Sequence, residues 1–165
     1  MSDTCSSNIQ PLVLMLAQLM GDQQLTLATA ESCTGGMLSQ CFTAIRGSSK
    51  WFECGFVTYS DASKIRSLGV QAKVLDEHGA VSRETAKQMA LGALHNSAAD
   101  MSVSITGITG PEGGCVNKPV GTVYIATAKS KQAVEVTRYL FKGDRDSIRK
   151  QATLAAISLL VEQIS

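Results

Sequence analysis

The sequence predicts an α/β fold, specifically a three-layer α/β/α sandwich with a mixed, mostly parallel sheet. Segments with helical and strand-like patterns alternate in the order α-β-α-β-α-α-β-β-β-α. Strands separated by helices tend to become parallel neighbours, with a helix layer on each face of the sheet. The strands over 120–128 and 133–141 are joined directly by a Lys/Ser/Gln turn, which predicts an antiparallel hairpin and therefore a mixed sheet.

Length and composition predict one globular domain over residues 1–165. The chain has 44% hydrophobic residues and a mean hydropathy of +0.08, which is enough to bury one core. We expect residues 1–7, which are mostly small and polar, to be disordered. The 15 basic and 14 acidic residues argue against a nucleic-acid partner, because such proteins usually carry a basic face.

Cysteine usage and the first apolar stretch predict a cytoplasmic protein. The five cysteines are odd in number and form no CxxC pair, which disfavours a disulfide framework or a zinc site and indicates a reducing compartment. The apolar stretch 11–20 is too short to span a bilayer. It also lacks the preceding positive charge of a signal peptide, since the first basic residue is Arg46.

The first half of the chain alternates amphipathic helices with short apolar strands. Apolar residues at helical spacing predict a helix over 8–20, and a strand follows over 25–30. A second helix is expected over 35–45 and a second strand over 55–59. Ser60 is the predicted N-cap of a short helix that ends at Leu68.

The second half begins with helices and ends with the hairpin and a long helix. A helical turn is expected over 71–77, and Ser82 caps a helix that runs to about Asn96. Residues 101–106 form the third strand, and the hairpin strands follow. One apolar stripe predicts a final helix over 144–163.

Three strand ends are rich in glycine and hydroxyl residues. They are the segments 30–36, 58–64 and 106–111. Because the carboxyl ends of parallel strands meet at one edge of a sheet, we expect these segments to line one crevice.

The first segment supplies a candidate nucleophile. Ser32 can attack a carbonyl, while the helix-start amides of 34–36 can bind an oxyanion or a phosphate. The alternative is that Ser32 or Thr34 only caps the following helix. Cys33 is a competing nucleophile, but its thiol needs a base. Both histidines of the chain fall at predicted helix ends, so a Cys–His pair is not expected. Ser48 is the other serine candidate, although a turn that ends a helix is the commoner explanation of its segment.

The second segment supplies a candidate base. Lys64 lies in the first turn of the helix capped by Ser60, so its side chain reaches back toward Tyr59. The helix dipole and burial both disfavour the ammonium form, and a neutral lysine can take a proton from a serine. Asp61 opposes this effect if it faces the same way. The alternative is a solvated surface lysine, with Tyr59 packed at the sheet edge.

The third segment and the last helix supply candidate ligand contacts. Gly107 and Gly110 let the backbone approach a ligand, and Thr106 and a neighbouring threonine offer hydroxyls, as in an anion or ribose clamp. Arg145 opens the last helix and is a candidate partner for phosphate or carboxylate. The alternative is an arginine paired with the neighbouring aspartates.

With these stretches identified, the chain resembles the nicotinamide mononucleotide amidohydrolases, which are related to the C-terminal domain of competence-damage-inducible proteins. The similar motifs follow the family's order and cover roughly residues 9–162. They are Thr29-Ala-Glu-Ser-Cys-Thr-Gly-Gly36, Gly47-Ser-Ser49, Gly55-Phe-Val-Thr-Tyr-Ser60 with Lys64, Leu68-Gly-Val70, His78-Gly-Ala-Val-Ser82, Thr106-Gly-Ile-Thr-Gly-Pro111, Lys118-Pro-Val-Gly-Thr-Val123 and Gly143-Asp-Arg145.

The resemblance implies a three-layer α/β/α fold and an activity. The expected reaction is hydrolysis of the nicotinamide carboxamide of the mononucleotide to nicotinic acid mononucleotide and ammonia, by a Ser/Lys dyad without metal or cofactor. It implies Ser32 as nucleophile, with Ser48 as second choice, and Lys64 as base assisted by Tyr59. The implied nucleotide-binding residues are Glu31, Thr34, Gly35, Gly36, Thr106, Gly107, Gly110 and Arg145.

The expected partner is a small-molecule nucleotide, with no nucleic acid and no membrane. A homo-oligomer is a further expectation, because the apolar first helix and the Trp51–Phe52 pair offer surfaces for a second copy. The rival functions are a non-catalytic nucleotide-binding module of the competence or DNA-damage response and a hydrolase of another nucleotide.

Overall fold

The computed structural model describes residues 8–165, so the expectation of disorder over 1–7 lies outside the described residues. Helices and strands alternate as the sequence predicts. The elements are α1 (Ile9–Asp22), β1 (Leu27–Glu31), α2 (Met37–Thr43), β2 (Phe52–Val57), α3 (Asp61–Leu68), α4 (Ala72–His78), α5 (Arg83–His95), β3 (Met101–Gly107), β4 (Thr122–Lys129), β5 (Glu135–Leu140) and α6 (Arg145–Ile164). A 3₁₀ turn, Ser48–Lys50, precedes β2.

The sheet has the strand order β2-β1-β3-β4-β5. Strand β1 pairs in parallel with both β2 and β3, while β4 is antiparallel to β3 and to β5. Four of the five strands therefore run in one direction, and the predicted mixed α/β/α sandwich is confirmed. The carboxyl ends of β1, β2 and β3 meet at one edge, where the three polar segments follow them.

Two helix layers cover the sheet. On one face, α1, α2 and α6 pack in the larger core cluster, which includes Leu16, Phe42 and Ile157. On the other face, α5 lies close to the sheet because the facing side chains are small. Two buried serines of β3 strengthen this contact, since Ser102 Oγ and Ser104 Oγ each donate a hydrogen bond of 2.6 Å to a carbonyl of α5.

Several element boundaries differ from the prediction for local reasons. Helix α1 continues through Asp22, because the exposed Gly21 is tolerated inside it. Helix α2 begins at Met37 rather than at residue 35, since Gly35 and Gly36 adopt φ angles of +60° and +96°, outside the helical region. Strand β2 begins at Phe52 rather than at residue 55.

Trp51 belongs to the core of its own chain. Its side chain is 4% exposed, and its ring packs edge-on against Phe42 with the centroids 5.1 Å apart. The expectation that Trp51 offers a surface to a second copy is therefore wrong, because burial against α2 already removes this indole from water.

Candidate active site

The corner between β1 and α2 carries Ser32 at the end of a central strand. The Ser32 amide still donates to the Ile105 carbonyl of β3, at 3.0 Å. The chain then turns, and the Gly35 amide donates to the Ser32 carbonyl at 3.1 Å. These two bonds fix the backbone on both sides of a side chain that is only 8% exposed.

The corner between β2 and α3 carries Lys64. Ser60 Oγ accepts a hydrogen bond from the Ser63 amide and thereby starts α3 as predicted. Lys64 lies in the first turn, and its side chain is fully buried, so the alternative of a solvated surface lysine is wrong. Its Nζ donates to Ser32 Oγ at 3.1 Å, to the Thr58 carbonyl at 2.9 Å and to the Tyr59 carbonyl at 3.2 Å.

The surroundings of Lys64 make the uncharged amine easier to form than in an exposed lysine. Burial lowers the pKa of Lys64 from its ordinary value of 10.5, while the Asp61 carboxylate and the Cys33 thiol group act in the opposite direction. A neutral amine has two hydrogens and one lone pair. When the two carbonyls accept both hydrogens, the lone pair is left for the hydroxyl proton of Ser32.

A cavity of about 260 Å³ opens beside this pair. Ser32 and Lys64 line it together with residues from all three predicted segments and from the last helix. The other predicted site residues in its lining are Tyr59, Thr106, Gly107, Gly110 and Arg145. The structure therefore brings together most of the predicted site at the expected sheet edge.

Arg145 joins three elements at the mouth of the cavity. Its guanidinium donates to Thr109 Oγ1 at 2.8 Å, to the Gly110 carbonyl at 3.0 Å and to the Tyr59 hydroxyl at 3.0 Å. The guanidinium itself is exposed, so it remains open to an anionic ligand. The alternative pairing of Arg145 with neighbouring aspartates does not occur within residues 8–165.

Glu31 does not reach the cavity, which corrects its assignment to substrate binding. Its carboxylate is fully buried and accepts four hydrogen bonds from the start of α2. The donors are the amides of Gly36, Leu38 and Ser39 and the Ser39 hydroxyl. A helix start leaves such amides without partners, and a buried carboxylate satisfies them together with the helix dipole.

The predicted anion site at residues 34–36 is consequently wrong for both glycines. The Gly36 amide donates to Glu31, and the Gly35 amide donates to the Ser32 carbonyl. Thr34 is also outside the cavity lining, and its fully buried Oγ1 has no hydrogen-bond partner within residues 8–165. Its carbonyl accepts from Arg149 at 2.8 Å, a tie between α6 and this turn that no local pattern in the sequence indicates.

Ser48 lies at the opposite end of β2. It begins the 3₁₀ turn that precedes this strand, whereas the partners of Lys64 follow the strand's carboxyl end. Within one copy of the chain, Ser48 is therefore separated from the partners of Lys64 by the length of β2 and does not line the cavity. The turn instead leads directly into the buried Trp51.

Sequence reasoning missed part of the cavity wall. Thr106 lines the cavity, but its hydroxyl donates to the Ala80 carbonyl at 2.8 Å and so holds the loop between α4 and α5 in place. Ala80 and Val81 of that loop and Glu112 of the β3–β4 loop also line the cavity. These residues carry no spacing signal, because they lie in connections between elements, where no helical or strand periodicity indicates which side chains face the cavity.

Cys33 lines the cavity but is poorly suited as a nucleophile. Burial raises the pKa of its thiol to about 12, and the Glu31 carboxylate acts in the same direction. Its own backbone amide, Arg149 and Arg145 lower the pKa by less than burial raises it. The thiol therefore stays protonated beside Ser32.

The described residues contain neither a metal-binding cluster nor a membrane-spanning helix. Across 8–165, His, Cys, Asp and Glu side chains form no group of three or more that could hold a metal ion. In the same part of the chain, every helix is too short or too polar to span a bilayer.

The fold and this cavity define an α/β protein with a small-molecule site at the carboxyl edge of its sheet. The chain belongs to the CinA C-terminal domain family, which matches residues 9–164. It is 46% identical over 157 residues to the nicotinamide-nucleotide amidohydrolase PncC of Escherichia coli K12, covering 95% of each chain. It is also 48% identical over 145 residues to a CinA-like protein of Citrifermentans bemidjiense, covering 88% of this chain and 35% of that longer one.

Solved structures agree with this membership. The competence/damage inducible protein CihA of Agrobacterium tumefaciens matches with a TM-score of 0.93 at 39% identity, covering 95% of this chain and 96% of that one. A CinA superfamily protein of Escherichia coli matches with a TM-score of 0.91 at 37% identity, covering 99% of this chain and 93% of that one.

Proposed function

We propose that this chain is a nicotinamide-nucleotide amidohydrolase that converts nicotinamide mononucleotide to nicotinic acid mononucleotide and ammonia. The observation that supports the reaction most directly is the buried Lys64 Nζ, 3.1 Å from Ser32 Oγ at the wall of a cavity. The 46% identity to the nicotinamide-nucleotide amidohydrolase PncC of Escherichia coli supports the substrate. The proposal places the enzyme in pyridine nucleotide recycling in the cytoplasm, where cysteines stay reduced.

In the first step, Ser32 forms an ester with the substrate. The lone pair of Lys64 takes the hydroxyl proton as Ser32 Oγ attacks the carboxamide carbon, and the carbonyl electron pair moves to oxygen. When this pair returns, the bond to nitrogen breaks. The Lys64 ammonium gives its proton to the departing nitrogen, so ammonia leaves and Lys64 is neutral again.

In the second step, water releases the product. Lys64 takes a proton from a water molecule, whose oxygen attacks the ester carbon. The ester bond breaks, Ser32 Oγ recovers a proton from Lys64, and the ring leaves as the carboxylic acid, which ionises. The same amine therefore acts as base and acid in both halves of the reaction.

The Cys33 amide is the proposed donor to the oxyanion. Cys33 follows the nucleophile and lines the cavity, and its amide donates to no main-chain carbonyl within residues 8–165. The Gly35 and Gly36 amides are already used, as described above. A main-chain donor beside the nucleophile suits a charge that develops only in the transition state.

Arg145 is the proposed partner of the nucleotide phosphate. The guanidinium is exposed at the mouth of the cavity, and a phosphate can replace the neutral Tyr59 hydroxyl as a stronger acceptor. Tyr59 then contacts both proposed groups, because its hydroxyl lies beside Arg145 and its carbonyl accepts a hydrogen bond from Lys64.

The test is ammonia release from nicotinamide mononucleotide by the wild type, Ser32→Ala and Ser48→Ala. We expect Ser32→Ala to lower the rate by roughly 10²–10⁴-fold or more, while Ser48→Ala retains it. A parallel assay includes chelator and should give the same rate, since the proposed steps use only groups of the chain and water. Full activity of Ser32→Ala would overturn the mechanism, and nucleotide binding without ammonia release would favour a binding module.

A further inference from the structure

The ionisable side chains around the cavity differ in how many hydrogen bonds they make to the protein. Lys64 Nζ has three acceptors from the protein, and Arg145 also has three. Glu112 lines the same cavity from the β3–β4 loop, and within residues 8–165 its carboxylate takes part in no hydrogen bond or ion pair. The fold gives Glu112 no evident structural task.

The environment of Glu112 keeps the carboxylate available. The residue is exposed, and it stands between Pro111 and Gly113, which adopts a φ angle of +90°. The neighbouring Gly110 is buried and holds Arg145 through its carbonyl, so the loop is tied to the site on this side. An unpaired negative charge is thus carried by a loop whose base is fixed at the cavity.

The substrate class of the proposed function brings a positive charge into the same space. The oxidised nicotinamide ring is a pyridinium, and it carries the carboxamide that must reach Ser32. In a cavity of about 260 Å³ this ring cannot be far from the lining residues. A carboxylate in that lining attracts a cationic ring, and the attraction is weakened but not abolished by solvent.

We propose that Glu112 is a specificity-determining residue that selects the cationic, oxidised nicotinamide ring over the neutral, reduced ring. This inference rests on the proposed function. It assigns the two ends of the nucleotide to opposite charges, with Arg145 for the phosphate and Glu112 for the ring. Complementary charges of this kind contribute more to selectivity than to total affinity.

The same charge acts on the product. Hydrolysis turns the neutral carboxamide into a carboxylate on the ring, which adds a negative charge near Glu112. The ring keeps its positive charge in the product, so repulsion between the two carboxylates cancels much of the attraction that Glu112 exerts on the substrate ring. Glu112 therefore favours the substrate over the product, which an ordinary packing role would not do.

The experiment compares the wild type with Glu112→Gln, Glu112→Asp and Glu135→Gln. The last variant is the matched control, since it removes the same charge from exposed Glu135 at the start of β5, outside the cavity lining. Dissociation constants are measured for nicotinamide mononucleotide, its reduced form and nicotinic acid mononucleotide, alongside ammonia release from the first.

We expect Glu112→Gln to weaken binding of the oxidised substrate by about fivefold and to change binding of the product and of the reduced form by much less. Glu112→Asp should stay close to the wild type. Equal effects on the oxidised and reduced forms, or no effect on either, would overturn the role of Glu112. A wild type that binds both forms but releases no ammonia would overturn the proposed function. The ratio of the dissociation constants for the reduced and oxidised forms, compared between wild type and Glu112→Gln, would still test the role of Glu112.

Discussion

Two strand-to-helix corners lie at the carboxyl edge of the sheet. The first-turn amides of their helices find hydrogen-bond acceptors in different ways. At the β1–α2 corner, the buried Glu31 carboxylate accepts four hydrogen bonds from the first turn of the helix. At the β2–α3 corner, the Ser60 hydroxyl accepts one, from the Ser63 amide. The first corner carries the proposed nucleophile, and the second carries the proposed base.

A helix start beside a site is not by itself a place where an anion binds. Helix α2 has the glycines and hydroxyls that suggest one, but a side chain of the protein already fills it. Helix α3 keeps its start lightly capped, and its positive end adds to burial in disfavouring the ammonium form of Lys64. The β1–α2 corner is thus held by several hydrogen bonds to one carboxylate, whereas the β2–α3 corner favours the proposed proton transfer by Lys64.

The largest effect is expected when Lys64, the proposed proton acceptor at the β2–α3 corner, is replaced. We expect Lys64→Met and Lys64→Arg both to lower ammonia release by roughly 10²–10⁴-fold, since methionine has no base and arginine does not deprotonate. Lys64→Met keeps a similar length in a buried site, and circular dichroism checks that it folds. Substantial activity in Lys64→Arg would contradict a neutral amine as the base.

A smaller effect is expected from opening the first corner. Glu31→Ala leaves three amides and the Ser39 hydroxyl without their buried acceptor, so we expect the free energy of unfolding to fall by about 3–5 kcal/mol. The matched change at the other corner, Ser60→Ala, should cost about 1 kcal/mol. Both values come from denaturant titration. Equal losses would show that the two helix starts are closed with similar strength.

The smallest effect is expected from removing the charge of Asp61, which acts on the pKa of Lys64. Because the pKa of Lys64 is lowered, the acid limb of kcat/KM should lie below the ordinary lysine value of 10.5 and rise with pH. Asp61 raises the pKa of Lys64, so Asp61→Asn should move this limb to lower pH. The shift should stay under about one pH unit, since Asp61 is exposed.

Stability should respond to pH in the same window. Between the lowered pKa of folded Lys64 and the ordinary value of 10.5, the unfolded chain binds more protons, so the free energy of unfolding rises with pH. Asp61→Asn widens this window downward. Asp76→Asn, an equal charge change on α4, is the control, and an equal shift in that variant would argue against a local effect of Asp61.

The fold was largely predictable because its signals are local. Periodicity located the helices and strands, and the serine caps Ser60 and Ser82 fall where the structure has them. The shared edge followed from parallel pairing of β1 with β2 and β3. The start of α2 was misplaced because Gly35 and Gly36 are compatible with a helix in sequence but adopt positive φ in the fold.

The site was predictable where one residue lies in a defined turn, and not where a contact spans the chain. The first-turn position of Lys64 follows from its cap, and that position predicted its approach to the strand end. The role of Glu31 depends on a strand residue reaching amides five to eight positions ahead, which no capping pattern describes. The segment around Ser48 is similar in composition to the candidate site segments, and only its position at the other end of β2 separates it from them.

The position of β2 in the sheet has a consequence for the lifetime of the enzyme. Within residues 8–165 this strand is at the border of the sheet and pairs only with β1, while β1, which leads directly into Ser32, has a strand on each side. Fraying of that border would carry Thr58, Tyr59 and Lys64 away from Ser32 with the rest of the domain still folded. Heating should therefore abolish turnover before the global melting transition, and recovery on cooling should be fast.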